Sequence, residues 1–355
     1  MLIQTSSIRA LGLTFALAAT AASVQAQTER RTLSGRDITI YDLVGSVTVE
    51  HGTGSDVVVE ITRRGADSRR LEIDIVGEGN GQSLRVIFPD EDIVYPMLGR
   101  RYNADFQIGR DGRWGGFRDS RFSNRRVRIR GDGRGIEAWA DLRVTIPSGK
   151  RVDINVGVGE VNASGVNGDL GIDVASARVT VAGHTGTLRL DTGSGGADVR
   201  DVKGDELSVD VGSGRVSVFG ADVRRMVVES GSGGVTVDRV NAAELSVDVG
   251  SGGVRIDRAT SDRVRVETGS GGVSLELSNS PSTLDVESGS GTVNLSLPAN
   301  LDAEIDVETG SGGIDSDFPV SVNRMSRNRL RGVVGRGTGH IRVETGSGSV
   351  RLRKL

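Results

Sequence analysis

The chain has 355 residues, and its 44 Lys and Arg stand against 47 Asp and Glu, a formal net charge of −3 with His neutral. This near balance lacks the basic excess that is typical of nucleic-acid-binding proteins, so we expect no nucleic-acid partner. The sequence has no cysteine, which excludes disulfides, thiolate metal sites and acylation at a lipoprotein signal.

Residues 1–26 are predicted to form a secretory signal peptide. Arg9 is followed by an apolar run over residues 10–22, and Val24-Gln25-Ala26 suits cleavage after Ala26. The apolar run is shorter than the roughly 20 residues that a membrane-spanning helix needs, and no later stretch approaches that length. We therefore expect a periplasmic or secreted protein with no integral membrane span after signal cleavage. A buried N-terminal helix is the alternative interpretation.

Residues 27–90 contain short runs of alternating apolar residues, which predict strands at 38–40, 47–49, 57–61, 71–75 and 84–88. They precede a regular repeat and are interpreted as degenerate first coils or as a cap. A rod of stacked repeats needs a cap because its last repeat would otherwise expose unpaired strand edges.

Residues 91–135 form an insertion rich in Arg and aromatic residues. Between Arg100 and Arg134 there are 11 Arg and 4 Asp. Arg and aromatic side chains bind anionic or sugar surfaces through bidentate and stacking contacts. The hypothesis is a binding loop for an acidic envelope polymer, a lipid headgroup or an envelope protein; the alternative is a loop that packs its aromatics on its own protein. The candidate binding residues are Arg100, Arg101, Tyr102, Arg113, Trp114, Phe117, Arg118, Arg121 and Phe122.

Residues 136–355 carry a repeat of about 19 residues, with a second insertion near 315–339. The first glycine of each GSG unit falls at residues 193, 212, 231, 250, 269, 289 and 310, at steps of 19 to 21 residues. Two degenerate copies, VGVGEV and VASARV, precede them, and TGSGSV follows the second insertion. A fixed period of this length predicts a repeat architecture.

Within each unit, apolar and polar residues alternate on both sides of the glycines, as in VRVETGSGGVSL. Period-two alternation rich in β-branched residues predicts strands with one buried face. One unit cannot offset its loss of conformational entropy, at roughly 1.5 kcal/mol per residue, so units must stack and pair. The prediction is an all-β chain folded as a single β-solenoid of roughly 19-residue coils, with right-handed winding favoured and two principal sheets.

The glycines are interpreted as sharp turns between strands, where Gly adopts positive φ without steric cost. A phosphate-binding loop needs a helix directly after the glycines, and a nucleophile elbow needs GxSxG. Here another alternating strand follows each time, so neither site is expected.

An acidic residue lies two positions before each of these glycines. In a stacked rod such residues would form a column with neighbours about 5 Å apart, repelling by roughly 0.9 kcal/mol in water. Flanking Arg189, Arg265 and Arg342 are expected to compensate this charge; a bound calcium ion is the weaker alternative. The candidates are Asp191, Asp210, Glu229, Asp248, Glu267, Glu287, Glu308 and Glu344.

The stretch VETGSGGVSLELSNSPSTLDVESGSGTVNLSL resembles the bacterial β-strand-repeat "putative adhesin" domain of unknown function, which is related to the auto-transporter adhesin head domain. The resemblance spans roughly residues 35–352 and departs at the Arg-rich insertion. It implies an exported, non-catalytic β-solenoid of the bacterial cell envelope. It supplies no catalytic or cofactor-binding residues.

Enzyme chemistry has little support in the sequence. His51, His184 and His340 are scattered, and no HExxH metal motif is present. We expect no enzyme and no cofactor, and predict an exported adhesin-like binding or scaffold module. The first alternative is a periplasmic envelope-stress or signalling component that binds a protein or a lipid. A polysaccharide-active β-helix enzyme is the less favoured second alternative.

Overall fold

The computed structural model describes residues 27–114 and 125–355. The predicted signal peptide lies outside the described residues. In the described part, no helix is both long and apolar enough to cross a membrane. Among the residues described, two short 3-10 turns occur, at Ser68–Arg70 and Pro96–Leu98.

Strands make up most of the described chain. In chain order they are β1 (Gln27–Leu33), β2 (Asp37–Gly52), β3 (Val57–Arg64), β4 (Glu72–Glu78), β5 (Gly81–Ile87), β6 (Asp92–Val94), β7 (Asn103–Ile108), β8 (Arg125–Arg130), β9 (Ile136–Glu137), β10 (Trp139–Pro147), β11 (Lys150–Ser164), β12 (Gly168–Ala182), β13 (Leu188–Ser194), β14 (Ala197–Ser213), β15 (Val216–Ser232), β16 (Val235–Ser251), β17 (Val254–Ser270), β18 (Val273–Leu277), β19 (Thr283–Ser290), β20 (Val293–Leu297), β21 (Ala303–Thr309), β22 (Ile314–Ser316), β23 (Ser321–Ser326), β24 (Arg329–Val334), β25 (Gly339–Ser347) and β26 (Val350–Lys354).

The chain folds as the predicted β-solenoid, in which strands of successive coils pair in parallel. The first face contains the strand segments that precede each glycine corner, stacked in the order β5, β2, β11, β12, β13, β14, β15, β16, β17, β19, β25, β21. The second face contains the segments that follow the corner, in the order β10, β2, β11, β12, β14, β15, β16, β17, β18, β20, β26, β22. Long strands such as β14 bend and contribute to both faces.

A third, shorter set of pairings completes the coil, in addition to the two expected sheets. Residues 202–204 pair with 221–223, and these pair with 240–242. A left-handed residue marks the corner before this segment in successive coils: Asp201 (φ 53°), Gly220 (φ 72°) and Arg239 (φ 54°).

The core is a stack of aliphatic side chains along the axis. Val266 is 0% exposed and lies in register between Val247 of the preceding coil and Val286 of the next. Arg265, its neighbour in sequence, points to solvent. The inward and outward positions predicted from the alternation are therefore confirmed at this rung.

The two glycines of each GSG unit have different physical reasons, and this corrects the prediction that both serve positive φ. The second glycine does in every unit except the one at 310–312: Gly252, for example, has φ 147°. The first does not. A Cβ on Gly250 would lie 2.6 Å from the carbonyl oxygen of Gly231 in the adjacent coil, closer than real Cβ contacts allow. Gly250 is needed because two backbones approach closely, rather than for its φ.

A hydroxyl inside the glycine corner supports the later coils. The residue before the first glycine is buried there, and its Oγ donates to a glycine carbonyl of the adjacent coil: Thr268 to Gly252 at 3.1 Å, and Thr345 to Gly291 at 3.1 Å. Each hydroxyl satisfies a partly buried backbone acceptor, which would be costly to leave unpaired.

Antiparallel strands cover parts of both ends of the rod. At the N-terminal end, β4 pairs with β5, and β1 and β3 extend the second face beyond β10. At the C-terminal end, β24 and β23 pair antiparallel beyond β21. These pairings occupy strand edges that a bare coil would expose.

The last coil in sequence is not the last coil in space. Strands β25 and β26 lie between β19 and β20 on one side and β21 and β22 on the other. The insertion near 315–339, expected to fold over the C-terminal end, supplies the β23–β24 hairpin there, and the chain then turns back into the rod.

The described part of the insertion at 91–135 contains a small sheet in the order β7, β8, β6, β9. Ile93, Val127 and Ile129 are buried and belong to the same core as the rod. Tyr95 packs against Trp139, with ring centroids 5.4 Å apart. The small sheet is therefore packed on the body by its apolar face.

Candidate functional site

The predicted acidic residues do form a column on the first face. Register places each one beside the next: Asp191 beside Asp210, then Glu229, Asp248, Glu267 and Glu287. Beyond Glu287 the stacking order departs from the sequence order, because Glu344 comes before Glu308. We call these residues, with Asp173 beside Asp191, the acid column.

Asp173 is the member that sequence reasoning missed. It belongs to the degenerate copy VASARV, in which Ala175 takes the place of the glycine, and it lies two residues before that alanine. The usable signal was this same spacing in the absence of the GSG motif. Burial, with Asp191 as the second cause, raises the pKa of Asp173 to about 6.

Arginines compensate the C-terminal part of the column. Arg265 pairs with Glu267, and Arg342 lies 3.4 Å from Glu287 and 2.6 Å from Glu344. Glu308 pairs with Arg329 of the capping hairpin at 3.2 Å. These contacts place opposite charges between stacked carboxylates and reduce their mutual repulsion.

The middle of the column is different. Arg189, expected to compensate it, pairs with Glu206 at 2.8 Å. Asp210, Glu229 and Asp248 have no ion pair to any residue within 27–114 and 125–355. This stretch presents one carboxylate per coil to solvent.

A metal site is not assembled from these carboxylates in the described residues. Over 27–114 and 125–355, no group of three or more His, Asp or Glu side chains is placed to hold a metal ion. A single row with one carboxylate per coil supplies too few oxygens at one point for calcium, which takes six to eight.

Two Arg candidates of the insertion, Arg100 and Arg101, are exposed. Arg100 and Arg101 follow the 3-10 turn Pro96–Leu98, on an exposed turn at one end of the small sheet. Neither forms an ion pair with any described residue. Their guanidinium groups are available to an anionic partner.

The other described candidates contact the protein itself. Arg113 binds Asp111 at 2.7 Å and Glu78 at 3.4 Å. Trp114 packs edge-on against Tyr41, with centroids 5.5 Å apart. These contacts tie the insertion to the rod, as the packing alternative expected.

Tyr102 is half-buried, and burial raises the pKa of its hydroxyl. The remaining four candidates, Phe117, Arg118, Arg121 and Phe122, lie outside the described residues.

Two buried ionisable groups were not singled out from the sequence. Asp42 is 0% exposed. It lies beside Val156, at an inward position where the other coils have an aliphatic or hydroxyl residue. Burial raises the pKa of its carboxyl well above the ordinary value. His184 is 1% exposed, and burial lowers its pKa; its Nε2 lies 3.1 Å from the carbonyl oxygen of Thr187. Both lie inside the rod, so we interpret them as structural groups.

Comparison with protein families matches residues 133–353 to the family described as Toastrack DUF4097. No curated protein matches the chain. Among solved structures, a putative adhesin from Parabacteroides merdae is 11% identical, with 93% of this chain and 97% of that chain covered and a TM-score of 0.42.

Two further solved structures are similar at the same level. A putative adhesin from Bacteroides fragilis is 10% identical, covering 93% of this chain and 98% of that chain, with a TM-score of 0.36. A putative cell adhesion protein from Clostridium sporogenes is 10% identical, covering 93% and 100%, with a TM-score of 0.20. Identities and TM-scores this low do not indicate what this chain binds.

Proposed function

The chain belongs to the Toastrack DUF4097 family, and we propose that it is an exported, non-catalytic, adhesin-like binding or scaffold module of the cell envelope. The observation that carries the proposal is the regular register of the rod along the acid column. Each coil presents its outward side chains directly beside those of the next coil, as Glu229 beside Asp248. A surface of this kind offers the same weak contact many times, and repeated weak contacts bind through avidity.

The chemistry of the described residues supports binding over catalysis. The carboxylates of the acid column repeat once per coil along the first face, so their placement follows from the repeat and marks out no single reacting centre. General acid–base catalysis needs two groups whose environments drive their pKa values apart at one reacting centre. Of the groups with displaced pKa values, Asp42 and His184 are buried away from solvent, and Asp173, with a pKa of about 6, lies in a row of like carboxylates beside Asp191.

We place the principal contact at Arg100 and Arg101, for an anionic partner of the envelope: an acidic polymer, a lipid headgroup or an acidic protein surface. Both guanidinium groups are exposed and unpaired among the described residues. An arginine near an anionic membrane surface contributes about 1 kcal/mol. Losing both should therefore weaken binding by about 30-fold.

The test is retention of the mature chain on isolated envelope fractions at physiological salt. The double variant Arg100→Ser/Arg101→Ser should be retained much less than wild type. The matched control is Arg200→Ser/Arg215→Ser, which removes two exposed and unpaired arginines from the regular rod. Equal retention of all three proteins would refute the contact site.

Fractionation of cells tests the location separately. We expect the mature chain, cleaved after Ala26, in the periplasm, the envelope or the medium. Recovery of an uncleaved chain in the cytoplasm would refute export. If a pull-down with the mature chain from envelope extracts recovers a single protein in a 1:1 ratio to the chain, the signalling alternative is supported instead.

A further inference from the structure

The C-terminal coil, residues 339–354, occupies a slot inside the rod. On one side the N–H of Gly291 donates to the carbonyl oxygen of Ser347 at 2.8 Å. On the other side the N–H of Gly310 donates to the carbonyl oxygen of Thr345 at 2.9 Å. The coil buries Ile341, Val343, Val350 and Leu352 completely. It therefore depends on both neighbouring coils, and both neighbours depend on it.

Side chains make the slot specific for this coil. Arg342 reaches Glu287 on one neighbour at 3.4 Å, and Arg353 reaches Asp315 on the other at 2.6 Å. The inward Thr345 donates to the Gly291 carbonyl at 3.1 Å. An occupant must supply inward aliphatics, a hydroxyl before a glycine corner, and two outward arginines. Residues 339–354 of this chain meet these requirements.

The coil is joined to the rest of the chain by a short hinge, residues 335–338. Gly335 (φ 66°) and Gly337 (φ 76°) are left-handed, a conformation that glycine adopts readily. Val334, before the hinge, pairs with Ala303 on one side of β21. Gly339, after the hinge, pairs with Ala303 on the other side. The hinge therefore crosses over β21 from one side to the other.

One carboxylate holds the hinge in this position. Asp302, at the start of the outer coil, accepts the backbone N–H of Arg336 at 2.8 Å and of Thr338 at 3.2 Å. Its other oxygen binds the Arg336 guanidinium at 3.0 Å. We call these contacts the Asp302 latch.

We propose that the C-terminal coil is an exchangeable rung that can occupy the same slot in a second copy of the chain, and that the Asp302 latch retains it in its own slot. Exchange reproduces every contact of the coil in the partner, so the two states differ chiefly in the hinge and in the entropy of association. The exchanged state joins two rods, which goes beyond the proposed function by making the module bivalent.

The decisive experiment shortens the hinge of the full chain by deleting Gly335–Gly337. Crossing β21 spans two strand spacings, about 9.6 Å, whereas the remaining linkage, Val334–Thr338–Gly339, extends to about 7.6 Å. Gly339 then cannot reach its place beside Ala303, so the coil enters its own slot only by giving up the pairing at its start. We expect a dimer by light scattering, with the amides of the coil still protected from hydrogen exchange. A monomer with a protected coil would overturn the proposal.

Because that deletion can prevent folding, Asp302→Ala is tested in parallel. Copies that carry a donor dye at Leu355 are mixed with copies that carry an acceptor dye at the same residue. After incubation at high concentration, exchanged dimers are followed by energy transfer between the two dyes. Asp302→Ala should exchange at least tenfold faster than wild type. The control Asp205→Ala removes an exposed aspartate that pairs with Arg224 at 2.7 Å, far from the hinge in sequence. If Asp302→Ala exchanges no faster than this control, the latch is refuted.

Discussion

Alanine at Gly250 should destabilise the rod, whereas alanine at Gly253, three residues later in the same corner, should stabilise it. The first substitution places a Cβ 2.6 Å from the carbonyl oxygen of Gly231. The second places a Cβ 3.6 Å from the carbonyl oxygen of Gly272, an ordinary van der Waals distance. Neither glycine has positive φ. Comparing the two variants therefore separates the effect of close backbone approach from the effect of backbone conformation.

The magnitudes follow from these distances. Relieving the Gly250 contact requires two paired backbones to separate by several tenths of an ångström, and overpacking of this kind costs about 1–3 kcal/mol. Ala at Gly253 fits without strain and restricts the unfolded chain, which stabilises by about 0.4–1 kcal/mol. Gly252, which has φ 147° and where an added Cβ would clash with the Gly233 carbonyl oxygen, should be the worst site of the three.

Urea unfolding of the three variants measures the order of these effects, with the slope of the transition checked for constancy. Hydrogen exchange at neighbouring coils reports whether the loss is local to the corner. Equal effects at Gly250 and Gly253 would contradict the assignment of the first glycine to close approach.

Three other substitutions test the core, the buried acid and the corner hydroxyl. Val266→Asp places an unpaired charge in the stack and should cost several kcal/mol, whereas Arg265→Asp should cost little; thermal unfolding compares them. Asp42→Asn should stabilise the protein at neutral pH. Burial raises the pKa of Asp42, so the wild type loses stability as the pH rises above 3.8, whereas the Asn variant carries no titrating group at this position. Melting temperatures of both proteins across pH 4–8 measure this difference. Thr309→Val removes the donor 2.8 Å from the Gly348 carbonyl and should cost about 1–3 kcal/mol in urea unfolding.

Each of these predictions has an outcome that contradicts it. Similar losses for Val266→Asp and Arg265→Asp would mean that the inward and outward faces are exchanged. A stability difference between wild type and Asp42→Asn that does not change with pH would show that Asp42 takes up no proton on folding. For Thr309, a serine variant that is as destabilised as the valine variant would indicate lost packing instead of a lost hydrogen bond.

The solenoid could be predicted because its determinants are local and repeated. Alternation around residues such as Val264 and Val266 assigns the buried face within one unit. The 19-residue step then places equivalent residues beside one another without any information from distant parts of the chain. The acid column follows from the same step, and the register of Glu229, Asp248 and Glu267 confirms that placement.

Features that depend on contacts between coils could not be read in this way. Nothing in the motif distinguishes a glycine required for φ, such as Gly252, from one required for approach, such as Gly250. Asp42 is followed directly by apolar residues, but nothing in this local pattern shows that its carboxyl is completely buried. Arg113 and Trp114 were candidates for ligand contact because their partners, Asp111 and Tyr41, cannot be inferred from composition.

The sequence pattern does not set the stacking order of the last coils, because all coils share it. The order depends on how much apolar surface each arrangement buries. If β21 stacked directly on β19, the β23–β24 hairpin would still cover the outer edge of β21. Strand β25 would then have no parallel edge to join, and Ile341 and Val343 would remain in water. Burying two such side chains contributes roughly 3–6 kcal/mol, a large part of the whole stability of many domains. Opening the stack by one rung retains that burial and loses no pairing, because β21 exchanges β19 for β25 as its parallel neighbour.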